Sequence, residues 1–304
     1  MFTLTMLAAV LAAAAAGPGE PRAPVKVFIL AGQSNMEGQG LIRGEKPGTL
    51  ETLVKDPATA LRFKHLVDAQ GKWVVREDVW IWYLGRTGGL TVGYTPKEDA
   101  IGPELQFGHV VGDAVEAPVL LIKTAWGGKS LAKDFRPPGA GGEVGPFYTA
   151  MMTHVKEVLA NLKTLFPRYE GQGYEIAGFG WHQGWNDRVN PAFNEEYEKN
   201  LAHLIRDLRK ELGVPKLPFV IAETGMTGPE EKHPRALSLM KAQAAVAEYP
   251  EFKGNVAFVG TKEFWRPAES SPANQGYHWN RNAETYSLIG EAMGKAMLKL
   301  MESR

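Results

Sequence analysis

The chain has 304 residues, 34 Lys and Arg against 34 Asp and Glu, 44% hydrophobic and 22% charged residues, and no cysteine. Zero formal net charge removes the electrostatic case for a nucleic-acid binder or a polybasic membrane-surface protein, since both need a cationic excess. Without cysteine there is no disulfide, zinc–thiolate site, iron–sulfur cluster or cysteine nucleophile, so covalent catalysis falls to Ser, Thr, Lys or a carboxylate.

Residues 2–16 are apolar apart from Thr3 and Thr5, end in an Ala run and are followed by Gly17-Pro18-Gly19. At ~15 residues the run is shorter than the ~20 that span a bilayer, and it fits a signal-peptide core cleaved near Ala16. Export, with no membrane anchor after cleavage, is the expectation, and residues 17–24 then form a linker. Beyond it, Val-, Ile- and Phe-rich runs predict strands at residues 25–31, 79–84, 118–124, 176–181, 219–223 and 256–260. Between them, helices are predicted at 104–115, 147–165, 191–212, 235–247 and 284–301. In the helix over 191–212, Leu201, Leu204, Ile205 and Leu208 recur at i, i+3, i+4 and i+7, which makes one apolar stripe. Such alternation predicts an α/β domain over residues 25–304, its parallel sheet covered by helices on both faces. Residues 43–93, with scattered Gly, Pro and charge, read as an irregular insertion.

Chemistry concentrates after the first strand, in Ala31-Gly32-Gln33-Ser34-Asn35-Met36-Glu37. A buried strand running into Gly-Gln-Ser-Asn puts Ser34 at the C-terminal end of a parallel strand, where open α/β sheets place their ligands. Gly32 permits a tight turn, and N–H groups after Ser34 can stabilise an oxyanion. The alternative is that Ser34 merely caps a helix.

Gly32-Gln33-Ser34-Asn35-Met36 resembles the first block of the SGNH hydrolases, in particular the sialate O-acetylesterase-like branch that includes the acetylxylan esterases of carbohydrate esterase family six. Further blocks follow in that family's order: Gly102-Pro103-Glu104, then Lys123-Thr124-Ala125-Trp126-Gly127-Gly128-Lys129-Ser130, then Trp181-His182-Gln183-Gly184, then His278-Trp279-Asn280. The resemblance implies a three-layer α/β/α sandwich with a flavodoxin-like parallel sheet and a serine esterase needing no metal or cofactor. It implies Ser34 as nucleophile, His278 as its base, and the N–H of Ser34, the N–H of Gly128 and the side-chain amide of Gln183 as oxyanion donors. Gln33, Asn35, Trp126, His182, Trp185 and Trp279 are expected to line the substrate site, His182 as a wall or support residue.

The acid of the triad is where the chain departs from the pattern. Relatives commonly carry Asp three residues before the histidine, a position that is Gln275 here and cannot hold charge against an imidazolium. Asp187 is the first candidate to replace it, a Ser–His dyad steered by a backbone carbonyl the second, and Glu263 or Glu104 the remainder. No phosphate-binding glycine loop and no paired metal-ligand spacing occurs. The resulting expectation is an exported esterase that removes O-acetyl groups from a sialic acid or xylan-type carbohydrate. The competing class is a carbohydrate-binding protein that keeps the fold and has lost turnover. Specificity is expected to reside in the loops at 43–93 and 137–145.

Overall fold

The structure, a computed structural model, describes residues 22–303, so the proposed leader lies outside the described residues. The strands are β1 (Val25–Gly32), β2 (Gly40–Leu41), β3 (Val79–Tyr83), β4 (Arg86–Gly89), β5 (Ala100–Ile101), β6 (Val119–Ala125), β7 (Tyr174–His182), β8 (Phe219–Ala222) and β9 (Val256–Val259). The helices are α1 (Ser34–Glu37), α2 (Leu50–Lys55), α3 (Ala60–Phe63), α4 (Pro103–Ala114), α5 (Pro146–Ala160), α6 (Leu162–Leu165), α7 (Trp185–Val189), α8 (Pro191–Glu211), α9 (Pro234–Ala247) and α10 (Ala283–Glu302).

Seven strands form one sheet in the order β4-β3-β6-β1-β7-β8-β9, and β2 pairs with β5 in a small separate ladder. All neighbours in the large sheet run parallel except the edge pair β3 and β4. Helices cover both faces, so the architecture is a three-layer α/β/α sandwich. Successive residues of β1 feed opposite cores, as the two-residue period of a strand dictates. Val27 and Ile29 join the core under α5, α8 and α9, while Phe28 and Leu30 join the one under α4 and α10. The stripe of Leu201, Leu204, Ile205 and Leu208 is buried in the first of these.

Two boundaries differ from the sequence reading. The helix predicted over 147–165 breaks at Asn161, whose side-chain amide donates to the Glu157 carbonyl at 2.8 Å and so competes with the helix ladder. Residues 43–93 are not a self-contained insertion, because all of β3 is buried and pairs with β6 in register from Val79 to Tyr83. The scattered Gly and charge belong to the edge strand β4 and to the residues before β3, which is the strand predicted at 79–84. Among the described residues no helix is long and apolar enough to cross a membrane.

Candidate active site

The chain passes from β6 on one side of β1 to β7 on the other, so the C-terminal end of β1 is the topological switch point of the sheet. Gly32 ends β1 with φ +153°, and a Cβ there would lie 2.1 Å from the His182 carbonyl oxygen. Only glycine lets β1 and β7 close to this distance, and the closure aims the next residue out of the sheet. That residue, Gln33, takes the cap position of α1 without a side-chain capping bond, and Ser34 is the first helical residue. The hydroxyl of Ser34 is therefore not the cap. Ser34 is 8% exposed.

On the β6 side, a Cβ on Gly127 would lie 3.8 Å from Ser34 Cβ, while Gly128 adopts φ +71° and faces open space. Glu37, one turn after Ser34, accepts the Gly127 N–H; burial pushes its carboxyl up, against that bond and the Lys123 charge. Lys123 is fully buried and donates to the carbonyls of Glu37 at 2.6 Å and Tyr94 at 2.7 Å and to Glu104 Oε2 at 2.8 Å. A buried ammonium needs such a complete set of acceptors. Glu104 is thus committed to Lys123 and to the Gly102 N–H, and is not the acid that orients His278.

The β7 side is a hydrogen-bond network in which Gln183 Oε1 is buried without a partner among the described residues. Gln33 Oε1 accepts from the N–H groups of Gly184 at 3.1 Å and Asn186 at 3.3 Å, and Gln33 Nε2 donates to Asn186 Oδ1 at 3.1 Å. Asn186 Nδ2 in turn donates to the Gly128 carbonyl at 2.7 Å, joining the β6 and β7 loops. Gln183 is fully buried, and its amide is shared among Asp187 Oδ2 at 2.5 Å, the Lys129 carbonyl at 3.0 Å and Gln33 Oε1 at 3.3 Å. Asp187 accepts from the N–H groups of Leu131 and Ala132, each at 2.8 Å. Burial pushes its carboxyl up to about 6 in spite of these bonds. Both of its oxygens face the loop after β6, so the expectation that Asp187 accepts from His278 is corrected. Gln183, expected as an oxyanion donor, has its N–H groups engaged inside the protein. Gln33 is likewise a structural tie and not a substrate contact.

His278 lies in the turn Gly276–Arg281. The three residues after it, Trp279, Asn280 and Arg281, all adopt left-handed backbone, with φ of 52°, 53° and 58°. Such a run is strained for residues with side chains and persists only where the surroundings impose it. Here Asn280 Oδ1 accepts from Gln275 N at 2.9 Å and Asn280 Nδ2 donates to the Arg266 carbonyl at 3.0 Å. Trp279 is fully buried beside Trp265, so the expectation that it touches substrate is corrected. Asn35 fastens this turn to the Ser34 segment: its Nδ2 donates to the Tyr277 carbonyl at 3.1 Å, and its Oδ1 accepts from Tyr286 Oη at 2.6 Å. It is therefore a fastener, not a substrate contact.

The imidazole itself has little support. Its Nδ1 is buried with no hydrogen-bond partner among the described residues. Burial first, then the Arg281 charge, lowers its pKa to about 4. Gln275, at the position where relatives carry Asp, donates instead to Tyr277 Oη at 2.6 Å, and Glu263 is exposed on a separate turn. The other expected contacts fare differently. His182 is wholly buried, with its pKa lowered to about 4 by desolvation, and lines no wall. Trp126 packs against Phe147 at 5.2 Å and Phe135 at 6.0 Å, in the core edge under α5. Trp185 remains part-exposed at the site. Sequence reasoning missed Tyr277, 43% exposed beside His278, as well as the Glu37–Lys123 pair behind Ser34. Tyr277 and Glu37 each adjoin a motif, so proximity was their only signal.

Residues 24–299 match the model of a family described as carbohydrate esterase, sialic acid-specific acetylesterase. The chain belongs to this family. It is accordingly a carbohydrate acetylesterase, a hydrolase of carboxylic esters. A probable carbohydrate esterase of Arabidopsis thaliana is 26% identical over 207 residues, which cover 66% of this esterase and 69% of the plant protein. An Arabidopsis crystal structure superposes with a TM-score of 0.61 at 20% identity, over 91% of this chain and 98% of that one. The crystal structure of NanS gives 0.59 at 15% identity, over 92% and 98% of the two chains. These similarities show a shared fold. Among the described residues no group of three His, Asp or Glu side chains could hold a metal ion.

Proposed function

We propose that this esterase removes O-acetyl groups from a carbohydrate through an acetyl-Ser34 intermediate, with His278 as its base and no triad acid. The observation that carries the reading is the seat of Ser34. It stands at the switch point of the sheet, beside Gly127 and Gly128, with its neighbours Gln33 and Asn35 tying it to the β7 loop and the His278 turn. Ser34 Oγ attacks the acetyl carbonyl carbon as its proton passes to His278 Nε2, the ring nitrogen left once Nδ1 is buried. The N–H groups of Ser34 and Gly128 stabilise the oxyanion. Collapse breaks the bond to the sugar oxygen, which takes the proton back from His278, and water activated by the same imidazole releases acetate.

A Ser–His pair without an acid retains part of the chemistry of a full triad. The bare Nδ1 of His278 also supports a second reading, a carbohydrate-binding protein with weak or no turnover. Acetate release from an acetylated sugar separates the two: wild type is expected to turn over and Ser34→Ala to be inactive, whereas equal near-zero rates favour the binding protein. Export is part of the proposal, resting on residues 2–16, and N-terminal sequencing of secreted protein should begin near Gly17.

A further inference from the structure

Gln33 and Asn35, on either side of Ser34, tie down two loops that each present an aromatic ring. Gln33 holds Asn186, next to Trp185, and Asn35 holds the backbone of Tyr277, next to His278. The two rings meet with centroids 5.5 Å apart and planes at 40°, and the Tyr277 ring lies 4.6 Å from that of His278. Tyr277 is the most exposed of these groups, and its hydroxyl is pinned by Gln275 at 2.6 Å, so it is an exposed apolar surface held in a fixed orientation. Trp185 packs in part against the core under α4 and α10, whereas Tyr277, its partner in the pair, belongs to neither core and leaves its ring exposed.

The chemistry says which part of the substrate meets this pair. Acetyl carbonyl oxygen must lie toward the Gly128 N–H, and the leaving oxygen must lie against His278, which protonates it. Groups that surround the His278 ring therefore contact the alcohol half of the ester, and Tyr277, with Trp185 packed on it, is such a group. We propose that Tyr277 and Trp185 form the subsite for the leaving sugar, an uncharged O-acetylated pyranose that lays its C–H face on these rings. This rests on the serine-esterase reading above.

The charge balance around the ledge selects the uncharged sugar. The Arg188 guanidinium stacks on Trp185 with its carbon 4.5 Å from the ring centroid, and its Nη2 lies 3.3 Å from Glu231 Oε2. Both side chains are largely buried, at 14% and 7% exposure. Lys129, beside Gly128, stacks over Phe147 and faces Asp134 at 3.9 Å, and Arg281, the last residue of the His278 turn, faces Asp99 at 3.6 Å. Arg188, Lys129 and Arg281 thus each face a carboxylate. An acidic sugar would lose water around its carboxylate and gain a cation already shared, which disfavours it against a neutral ring of the same shape.

The test compares kcat/KM for an O-acetylated methyl xyloside, for 9-O-acetyl sialic acid and for ethyl acetate, which has no ring to stack. In Tyr277→Ala and Trp185→Ala the ratio of xyloside ester to ethyl acetate should fall at least about fivefold, mainly through KM, while Tyr277→Phe keeps it. Taking the ratio cancels any disturbance of the neighbouring imidazole. Wild type should prefer the xyloside to the sialic acid ester. A smaller fall in both alanine variants overturns the subsite, and preference for the sialic acid ester overturns its neutral character. Titration of Ser34→Ala with the acetylated xyloside, followed by tryptophan fluorescence, keeps the question apart from turnover. Binding that weakens at least fivefold when Tyr277→Ala is added supports the subsite even in an inactive protein, and unchanged binding removes it.

Discussion

Around Ser34, side-chain hydrogen bonds cross-link the loop after β7, although Gln183 Oε1 is buried without a partner, whereas the imidazole on the His278 turn has no tie at its buried Nδ1. Gln33, Gln183, Asn186 and Asp187 bond to one another and to the backbone of residues 128–132, so the floor of the site is over-determined. The His278 turn is instead held by its backbone, through Asn35 and Asn280, in a left-handed conformation that costs energy. Position and basicity are therefore set separately. Hydrogen bonds to the backbone place the imidazole, while burial sets its proton affinity.

The largest effect expected from this contrast is at the nucleophile. Ser34→Ala should lower acetate release at least ~10³-fold while circular dichroism and the melting transition stay close to wild type, since no tie of the floor runs through the hydroxyl. A residual rate above a tenth of wild type would end the assignment. At Asp187 the expectation reverses, with a stability effect in place of a catalytic one. Asp187→Asn turns an amide N–H toward one of the Leu131 and Ala132 donors, and denaturant unfolding should show a loss of roughly 1–3 kcal/mol. Turnover of the folded variant should change less than about fivefold with an unmoved pH profile; a ~10²-fold loss would restore Asp187 to the triad.

The pH dependence sharpens the same contrast. A general base must be neutral, and a His278 pKa lowered to about 4 keeps it neutral well below the ordinary value of 6.5. The acid limb of kcat/KM, which reports the free enzyme, should accordingly fall through pH ~4 and not near 6.5. Stability moves differently. His109, His182 and His278 are each lowered to about 4 in the fold while Asp187 is raised to about 6; between pH 6.5 and 4 the three histidines outweigh the one carboxyl, so the unfolded chain binds more protons and stability falls as pH falls. Urea midpoints measured across that window should decrease steadily toward acid. The smallest effect is expected from Gln275→Asp. A carboxylate three residues before His278 stabilises the imidazolium, so the acid limb should move up from ~4; an unshifted limb shows that the new carboxylate does not reach the ring.

Much of this layout was legible in the residues. Apolar runs located every parallel strand of the large sheet, including β3, within about two residues. Glycine at position 32 and serine at 34 read correctly as the end of β1 because strand, turn and helix start are local features. Roles of the polar residues were less accessible. Asp187 stands 56 positions from the Leu131 N–H that it accepts, and Gln183 stands 150 from Gln33. Nothing periodic in the chain encodes such pairings. Tryptophans misled for a related reason, since Trp279 in the core and Trp185 at the cleft differ only in which way the surrounding fold turns them.

By itself, then, the sequence determined the layers, the strand that presents Ser34 and the family blocks, because burial patterns repeat with the period of the local backbone. Tertiary structure alone decided which backbone donors Asp187 serves, that the Gln183 amide bonds to Asp187, Gln33 and the Lys129 carbonyl, that His278 Nδ1 has no partner among the described residues, and that Tyr277 faces solvent beside it. Those outcomes depend on donors and acceptors brought within about 3 Å by packing. A hydrogen bond's partner is selected by distance in space, which the order of residues along the chain does not carry.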